Sequence, residues 1–565
     1  MNFPTNILGS LALARRALIA HQTTLDTIGH NLSNVNTPGY SRQRAELVTV
    51  NPRGGVDVAT IQRLRDRFVD FSLNSEQQAL GRADAQATVA RRVQDVLSDP
   101  SGSGLSTILD GFFQALQDLS VDPTDQVARV TVKDQAQRLS STLNTLDSKL
   151  RQVESDLTSD IQQRVGDANE LMSQIADLNR QVIAARNQPT PNDLLDRRDQ
   201  LVSQLTQIIG VTPLDRPDGA VQLAMTGSGV LLVDGTTVQP LRASVNGTTG
   251  LVDLSAGAVA PVLTPRGGAL AAQLDARNSP TGVLHQAMSD LDTLAHTLAT
   301  TVNRVHASGS GLVGYATLTS ANIVTSATAP LTAAGLTDPP GSGTFQVIVH
   351  DATGAVVSTV PVTVTAGITT LDDVRAAIDA DPNLTASITG GQLTIGAAAG
   401  TTFTFAADSS DTLSALGLNT FFVGADASSL AVNPEILGNV SLIAAARADA
   451  GGLVHPGDGS NALSLAGLRT QQVLNSGTAS FSDFLGMSLG RVGSTTRDAE
   501  DTLDRQTEAV QIVTGYQQQV SGVSTDEELV SLSQTQTAYA AAARFATTIN
   551  DIIGTLLLMG TSAAS

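Results

Sequence analysis

A chain of 565 residues is long enough for three or four domains and too long for a single core. Its net charge of −20 removes the electrostatic footprint that nucleic acid or an anionic membrane surface would need, and the absence of cysteine removes disulfides and thiolate chemistry together. Aromatic residues make up 3% and tryptophan is missing, which argues against the aromatic-walled pockets of most enzymes, and no run reaches the roughly 18 apolar residues of a membrane span.

Residues 5–34 read as an amphipathic helix. Leu11, Leu18, Leu25 and Leu32 recur every seven residues, and Ile7, Ala14, His21, Ile28 and Val35 form a second row three positions on, which is an a/d seam. Arg15, Arg16, His21 and Asp26 interrupt the apolar run, so no cleavable secretion signal is expected. Pro38 and Gly39 stop the helix. Around that stop, Asn34, Asn36 and Tyr40 carry side chains able to bond across neighbouring molecules.

Alternation from Glu46 to Arg63 predicts a hairpin turning at Pro52–Gly55. A helix over 66–97 follows, with Phe68, Phe71, Leu80, Val89, Val93 and Val96 facing inward, and Ser98–Gly104 breaks it. Residues 105–120 form a shorter helix carrying Leu109, Phe112, Phe113, Leu116 and Leu119. From Thr124 to Asn187 apolar residues recur by threes and fours, beginning at Val127 and Val130 and ending at Val182. That pattern predicts a rod-like spine of about 90 Å. Pro189 and Pro191 end it. In the helix over 192–209, Asp193 and Arg197 lie four apart, where they are expected to pair on a solvated face.

Gly, Thr and Val with turns at Asp218-Gly219, Asp234-Gly235 and Asn246-Gly247 predict β-hairpins over 211–263. One helix is expected over 268–306. Charge then thins, and strand-like runs such as Phe345–Val349, Val360–Val364, Gln392–Ile395 and Thr402–Phe405 mark a β-rich region to Gly424, with a short helix capped by Thr370 and Asp373. Helices resume over 434–446, 460–475 and 481–521. Ser524 with Glu527, and Thr525 with Glu528, are overlapping capping boxes that open a last helix, whose stripe is Leu529, Leu532, Tyr539, Ala543, Ile549, Ile553 and Leu556.

The resulting class is α+β and multidomain. Terminal helices (1–45 with 524–565) pair as a coiled coil, a long-helix bundle forms a spine (46–310 with 425–523), and a β-rich outer domain (311–424) is inserted. Chemistry is not legible anywhere. No two of the seven histidines stand four apart on a helix, the glycine runs at 309–311 and 341–343 lack the lysine of a phosphate loop, and His455–Asn461 lacks the acidic spacing of a calcium loop. No catalytic residue, cofactor or metal is expected.

The run Asn31-Leu-Ser-Asn-Val-Asn-Thr-Pro-Gly-Tyr40-Ser-Arg42 resembles the N-terminal signature of the flagellar rod, hook and hook-associated axial proteins. Ser521–Leu529, with Gln536 and Tyr539–Arg544, is similar to their C-terminal signature, and Pro191–Gln200, Thr420–Gly424 and Pro456–Leu463 resemble the hook-associated members. The resemblance implies a structural subunit at the junction of hook and filament. It would form a ring of its own copies, touching the hook protein and the neighbouring junction protein. It also implies a cytoplasmic export chaperone on the C-terminal helix and passage through the flagellar type III route. The expected assembly interface is Leu11, Leu18, Leu25, Ile28, Leu32, Asn34, Asn36 and Tyr40 at one end and Leu529, Leu532, Tyr539, Ile549, Ile553 and Leu556 at the other. Neither stripe has a neighbour in sequence. Burying one large aliphatic residue contributes roughly 1.5 to 3 kcal/mol against roughly 1 to 2 kcal/mol of backbone entropy per ordered residue, so both ends are expected to become ordered only in the polymer. A hook or distal rod protein is the nearest alternative, and an extracellular adhesin using residues 309–424 is an alternative of another class.

Overall fold

The computed structural model describes residues 4–50, 55–98, 104–185, 191–257 and 262–562. Most of the predicted turn at Pro52–Gly55, the break between Ser98 and Gly104, and Pro189 lie outside the described residues. In chain order the elements are α1 (Pro4–Ser33), β1 (Gln43–Thr49), β2 (Val56–Arg63), α2 (Arg67–Leu97), α3 (Leu105–Val121), α4 (Gln126–Ala184) and α5 (Asn192–Ile208). Then come β3 (Val211–Asp215), β4 (Val221–Met225), β5 (Leu231–Asp234), β6 (Thr237–Val238), β7 (Leu241–Val245), β8 (Val252–Ala256), α6 (Gly268–Asn278) and α7 (Val283–Ala307). The β-rich region holds β9 (Thr317–Thr319), β10 (Gly343–Asp351), β11 (Val356–Val364), α8 (Leu371–Asp379), β12 (Leu384–Thr389), β13 (Gln392–Ala397), β14 (Thr401–Ala406), α9 (Thr412–Leu416), β15 (Phe422–Val423) and β16 (Ala431–Val432). The chain closes with α10 (Pro434–Gly438), α11 (Ser460–Gly467), α12 (Phe481–Ser521) and α13 (Thr525–Ser562).

The chain divides into two compact units. The first comprises Met1–Val89, Asp156–Ser279 and Arg497–Ser565. In it α1 packs on α13 and on the antiparallel hairpin β1–β2, whose register pairs Gln43 with Arg63 and shifts at Glu46/Leu47. β3-β4-β5-β6 form an antiparallel sheet and β7–β8 a separate ribbon. Leu223 and Leu232 on the sheet, Leu254 on the ribbon, and Leu157, Ile161, Met172 and Ile175 on α4 are buried, as are Val202 and Leu205 on α5. Close approach of α2 to α5 depends on Gly81, since a Cβ there would sit 2.1 Å from the Gln207 carbonyl oxygen.

The second unit comprises Ala90–Ser155 and Pro280–Thr496. Its helical core gathers Phe112, Phe113, Phe421, Phe422 and Phe481 with the leucines of α3, α4 and α7. The β-rich region builds two antiparallel sheets, β11-β10-β14 and β12-β13-β9, around Phe345, Phe403, Phe405 and Ile395, and α8 carries the predicted capping box from Thr370 and Asp373.

Four expectations are corrected. Phe68 and Phe71 do not face a core: they are 78% and 59% exposed. Val127 and Val130 are exposed too, and the first turns of α4 bury Val132 and Ala136 instead, while the expected stripe is covered from Leu139 onward. The single helix over 268–306 is two, because Pro280 has no N–H to continue α6. Residues 434–446 hold only the short α10 and a 3-10 turn at Val440–Leu442.

Candidate assembly site

The last full turn of α1 buries Asn31, which is 1% exposed. Its amide nitrogen donates to the Gln43 carbonyl oxygen (2.8 Å) and to Glu528 Oε2 (3.2 Å), while its amide oxygen accepts from Gln43 N–H (2.9 Å) and from the Tyr40 hydroxyl (2.8 Å). Two donors and two acceptor sites are thereby all used. Glu528 lies in the first turn of α13, where a carboxylate also meets the positive end of the helix dipole. Its other oxygen takes Arg42 Nε at 2.6 Å, and Glu527 takes Arg42 Nη1 at 2.6 Å. Backbone bonds complete the clasp: Arg42 N–H donates to the Ser521 carbonyl, and Leu64 N–H to the Arg42 carbonyl, both at 2.8 Å. Residues 41–43 thus tie the end of α1 to the start of α13, 497 positions away along the chain.

On the other side, α5 presents a carboxylate every third residue. Asp196 accepts from Ser41 N–H (2.9 Å) and Ser41 Oγ (2.8 Å) and from Arg63 Nη1 (2.8 Å). Asp199 accepts from Arg63 (2.9 Å) and pairs with Arg65, which also reaches Asp70 at 2.9 Å. Asn192 donates to Gln43 Oε1 (3.1 Å) and to the Ile61 carbonyl (3.0 Å). Asp193 and Arg197 are both exposed, as expected, but they do not pair. Asp193 turns to Gln43 Nε2 (3.2 Å) and His30 (3.7 Å), and Asn192, Asp196 and Arg198 are buried, because the arginines of β2 and the β2–α2 link approach this face.

Electrostatics follow from that crowding. Burial, reinforced by Asp193, Asp196 and Glu528, pushes the Tyr40 phenol well above its usual range, so it remains a donor. Burial pulls the Arg42 guanidinium down, but its bonds to Glu527 and Glu528 outweigh this and the net shift is upward. Arg198, which donates to the Gly219 carbonyl at 2.8 Å, is brought down to about 10 by burial and then by Arg63.

The expected interface residues separate into three groups. Ile28 and Ile549 are buried, and Leu11, Leu18, Leu25, Leu32, Leu532 and Ile553 are half-buried along the contact of α1 with α13. Leu529 (50% exposed), Tyr539 and Leu556 (49%) face away from it, joined by Ile19 on α1 and by Phe545, Ile552, Leu557 and Leu558 on α13. The fully covered positions of α1 include Ala14 and Ala20, whose short side chains let the helices close. Asn34 bonds its own helix end, with Nδ2 on the His30 carbonyl and Oδ1 on Thr37, and Tyr40 bonds Asn31 and His30, so both satisfy themselves within the chain. Asn36 is exposed. Sequence reasoning did not assign roles to Asn31, Arg42, Arg63 or Asp196, and it gave Glu528 to a cap with Thr525, whereas its carboxylate meets Asn31 and Arg42. The usable signal was the three-residue spacing of Asp193, Asp196 and Asp199 against Arg63 and Arg65. Among the described residues no three metal-ligating side chains gather, and no helix is long and apolar enough to cross a membrane.

Family models match on these same elements: residues 11–40 match the flagella basal body rod protein, 515–559 the flagellar basal body rod FlgEFG protein C-terminal region, and 90–318 the flagellar hook-associated protein FlgK helical domain. Flagellar hook-associated protein 1 of Bacillus subtilis is 30% identical over 347 residues, covering 54% of this chain and 68% of that protein. The chain belongs to the flagellar hook-associated protein 1 family. Its relatives of the same name in Salmonella typhimurium and Escherichia coli are each 28% identical over 574 residues, 96% of this chain and 98% of theirs. The flagellar hook junction protein FlgK from Burkholderia pseudomallei shares the fold, with a TM-score of 0.54 at 19% identity over 80% of this chain and 100% of that one. Matches of this extent to hook-associated proteins do not favour a hook protein, a distal rod protein or an adhesin. This hook-associated family member is a structural component of the bacterial flagellum.

Proposed function

We propose that this flagellar structural protein, which forms the junction between hook and filament, polymerises through the exposed sides of its α1–α13 pair. The observation that carries the reading is the set of large apolar side chains left uncovered there: Ile19 on α1, and Leu529, Tyr539, Phe545, Ile552 and Leu556 on α13. Each contributes roughly 1.5 to 3 kcal/mol when fully buried, and patches of this kind mark interaction surfaces. The two helices give each other a partner within one chain, the pairing expected of the terminal helices. Their exposed sides are what remains for neighbouring subunits to cover.

In this reading the chain assembles with hook proteins as a ring of its own copies, between the hook and the next junction protein. It leaves the cell by the flagellar type III route after a cytoplasmic chaperone has shielded the exposed sides of α13. It performs no catalysis. Family membership and the uncovered side chains support these steps.

The test replaces Leu529 and Leu556 by lysine in cells lacking the native chain. Both positions are half-exposed, so the purified variant should melt as the original does. The variant is expected to be missing from isolated hook–filament complexes, with filaments shed into the medium. Normal swimming with the variant incorporated would overturn the proposal.

A further inference from the structure

A groove of about 1600 Å³ opens in the first unit beside the clasp, lined by the loop at Asn34–Arg42, by Arg67, Phe71 and Asn74 of α2, and by one side of α12. At its edge Phe71 is 59% exposed, and Phe68, next to the lining, is 78% exposed, the two most exposed aromatic side chains among the described residues of the unit; Arg67 beside them is 90% exposed and contacts Asp215 at 3.5 Å.

The α12 residues that line the groove are Thr514, Gln517, Gln518, Gln519 and Ser521. At 100° per residue, Ile512, Tyr516 and Val520 stand about half a turn from Thr514, Gln517, Gln518 and Ser521, while Gln519 falls beside Ile512, and Ile512, Tyr516 and Val520 are exposed. Glu508, one step of four earlier on that stripe, is exposed and has no ion pair among the described residues. Outside the terminal helix pair the first unit therefore carries two uncovered apolar patches, one bordered by a cation and one by an anion, and the two charges do not meet within the molecule: Arg67 contacts Asp215, and Glu508 has no ion pair among the described residues.

We infer that the groove rim of one copy, Arg67, Phe68 and Phe71, docks the α12 stripe Glu508, Ile512, Tyr516 and Val520 of a second copy. Two different patches of one chain make a head-to-tail contact, which repeats from copy to copy and closes into a ring where the rotation allows. Arg67 facing Glu508 fixes the register, and the aromatic rim covers the aliphatic stripe. The contact rests on the junction reading above but uses residues outside the terminal helix pair.

Because the chain has no cysteine, single cysteines report the contact cleanly. Cells lacking the native chain would express Phe71→Cys and Tyr516→Cys chains together, and isolated hook–filament complexes would be oxidised mildly. A disulfide-linked dimer, reversed by reductant, is expected from the mixture and not from either chain alone. Arg67→Glu added to the Phe71→Cys chain should abolish the dimer, and Glu508→Arg added to the Tyr516→Cys chain should restore it. Complexes that contain both chains but give no mixed dimer, or equal dimer from one chain alone, would overturn the head-to-tail contact. Absence of both single-cysteine chains from the complexes, with normal melting of each, would overturn the junction reading as well.

Discussion

Asn31 and Glu528 stand 497 residues apart and share a 3.2 Å hydrogen bond, the point at which the two ends of the chain are joined. The bond does not stand alone. Asn31 also holds both backbone groups of Gln43, much as a neighbouring strand would, and Glu528 holds Arg42. Removing either side chain strands buried polar partners in the other terminus.

Asn31→Ala is expected to destabilise the first unit by about 2–4 kcal/mol, because the Gln43 amide, its carbonyl and the Tyr40 hydroxyl lose partners in a buried setting. Denaturant unfolding measures the change. Amide hydrogen exchange should show faster exchange at Gln43, whose N–H bonds the Asn31 side chain. Unchanged exchange there would contradict the clasp.

Glu528→Ala leaves the Arg42 guanidinium facing only the exposed Glu527 and should cost about 3–5 kcal/mol, whereas Glu528→Gln keeps the shape and one donor-acceptor pair and should cost about 1.5–3 kcal/mol. A double-mutant cycle with Arg42→Ala should give a coupling of about 1–3 kcal/mol. Coupling near zero would mean that the 2.6 Å contact contributes nothing.

Much of the fold was legible because periodicity reports burial over long windows. The ends of α1, α3 and α13 follow from Pro38, from Val121-Asp-Pro123 and from the capping residues near 524, all local signals. What period cannot give is which of two adjacent faces is covered. α2 and α4 therefore turn Phe68, Phe71, Val127 and Val130 to solvent, and Leu529 and Tyr539 lie outside the contact with α1. The clasp was illegible for a different reason. Asp196 looks like an ordinary surface charge until Ser41 and Arg63, 155 and 133 residues away, are brought onto it. Long-range polar pairing leaves no periodic trace in a single sequence.

Gly81 offers a test of packing in the first unit. A methyl group there would meet the Gln207 backbone oxygen at 2.1 Å, and backbone cannot swing aside as a side chain can. Gly81→Ala would gain up to about 1 kcal/mol of helix propensity in isolation, but overpacking should reverse that and cost at least about 1–3 kcal/mol. A melting temperature at or above the original would show that α2 and α5 are further apart.

His306 gives the second unit a dependence on pH. It is fully buried, and its Nδ1–H donates to the Asn419 carbonyl at 2.7 Å while Nε2 accepts from Ala444 N–H at 2.9 Å. A proton on Nε2 would set a donor against a donor. Burial, with Arg129 adding to it, pulls the imidazole from 6.5 down to about 4. Above pH 6.5 the ring is neutral both folded and unfolded and exerts no pH effect. As pH falls from 6.5 towards 4 the unfolded chain takes up the proton first, so stability is lost across that window, by about 2 kcal/mol at pH 5. Unfolding free energies at pH 7.5, 6.5, 5.8 and 5.0 should trace this decline above the range where carboxylates titrate. In His306→Gln the decline over the same interval should shrink, even though the variant is less stable at every pH. An equal slope in both proteins would show that His306 is not the group responsible.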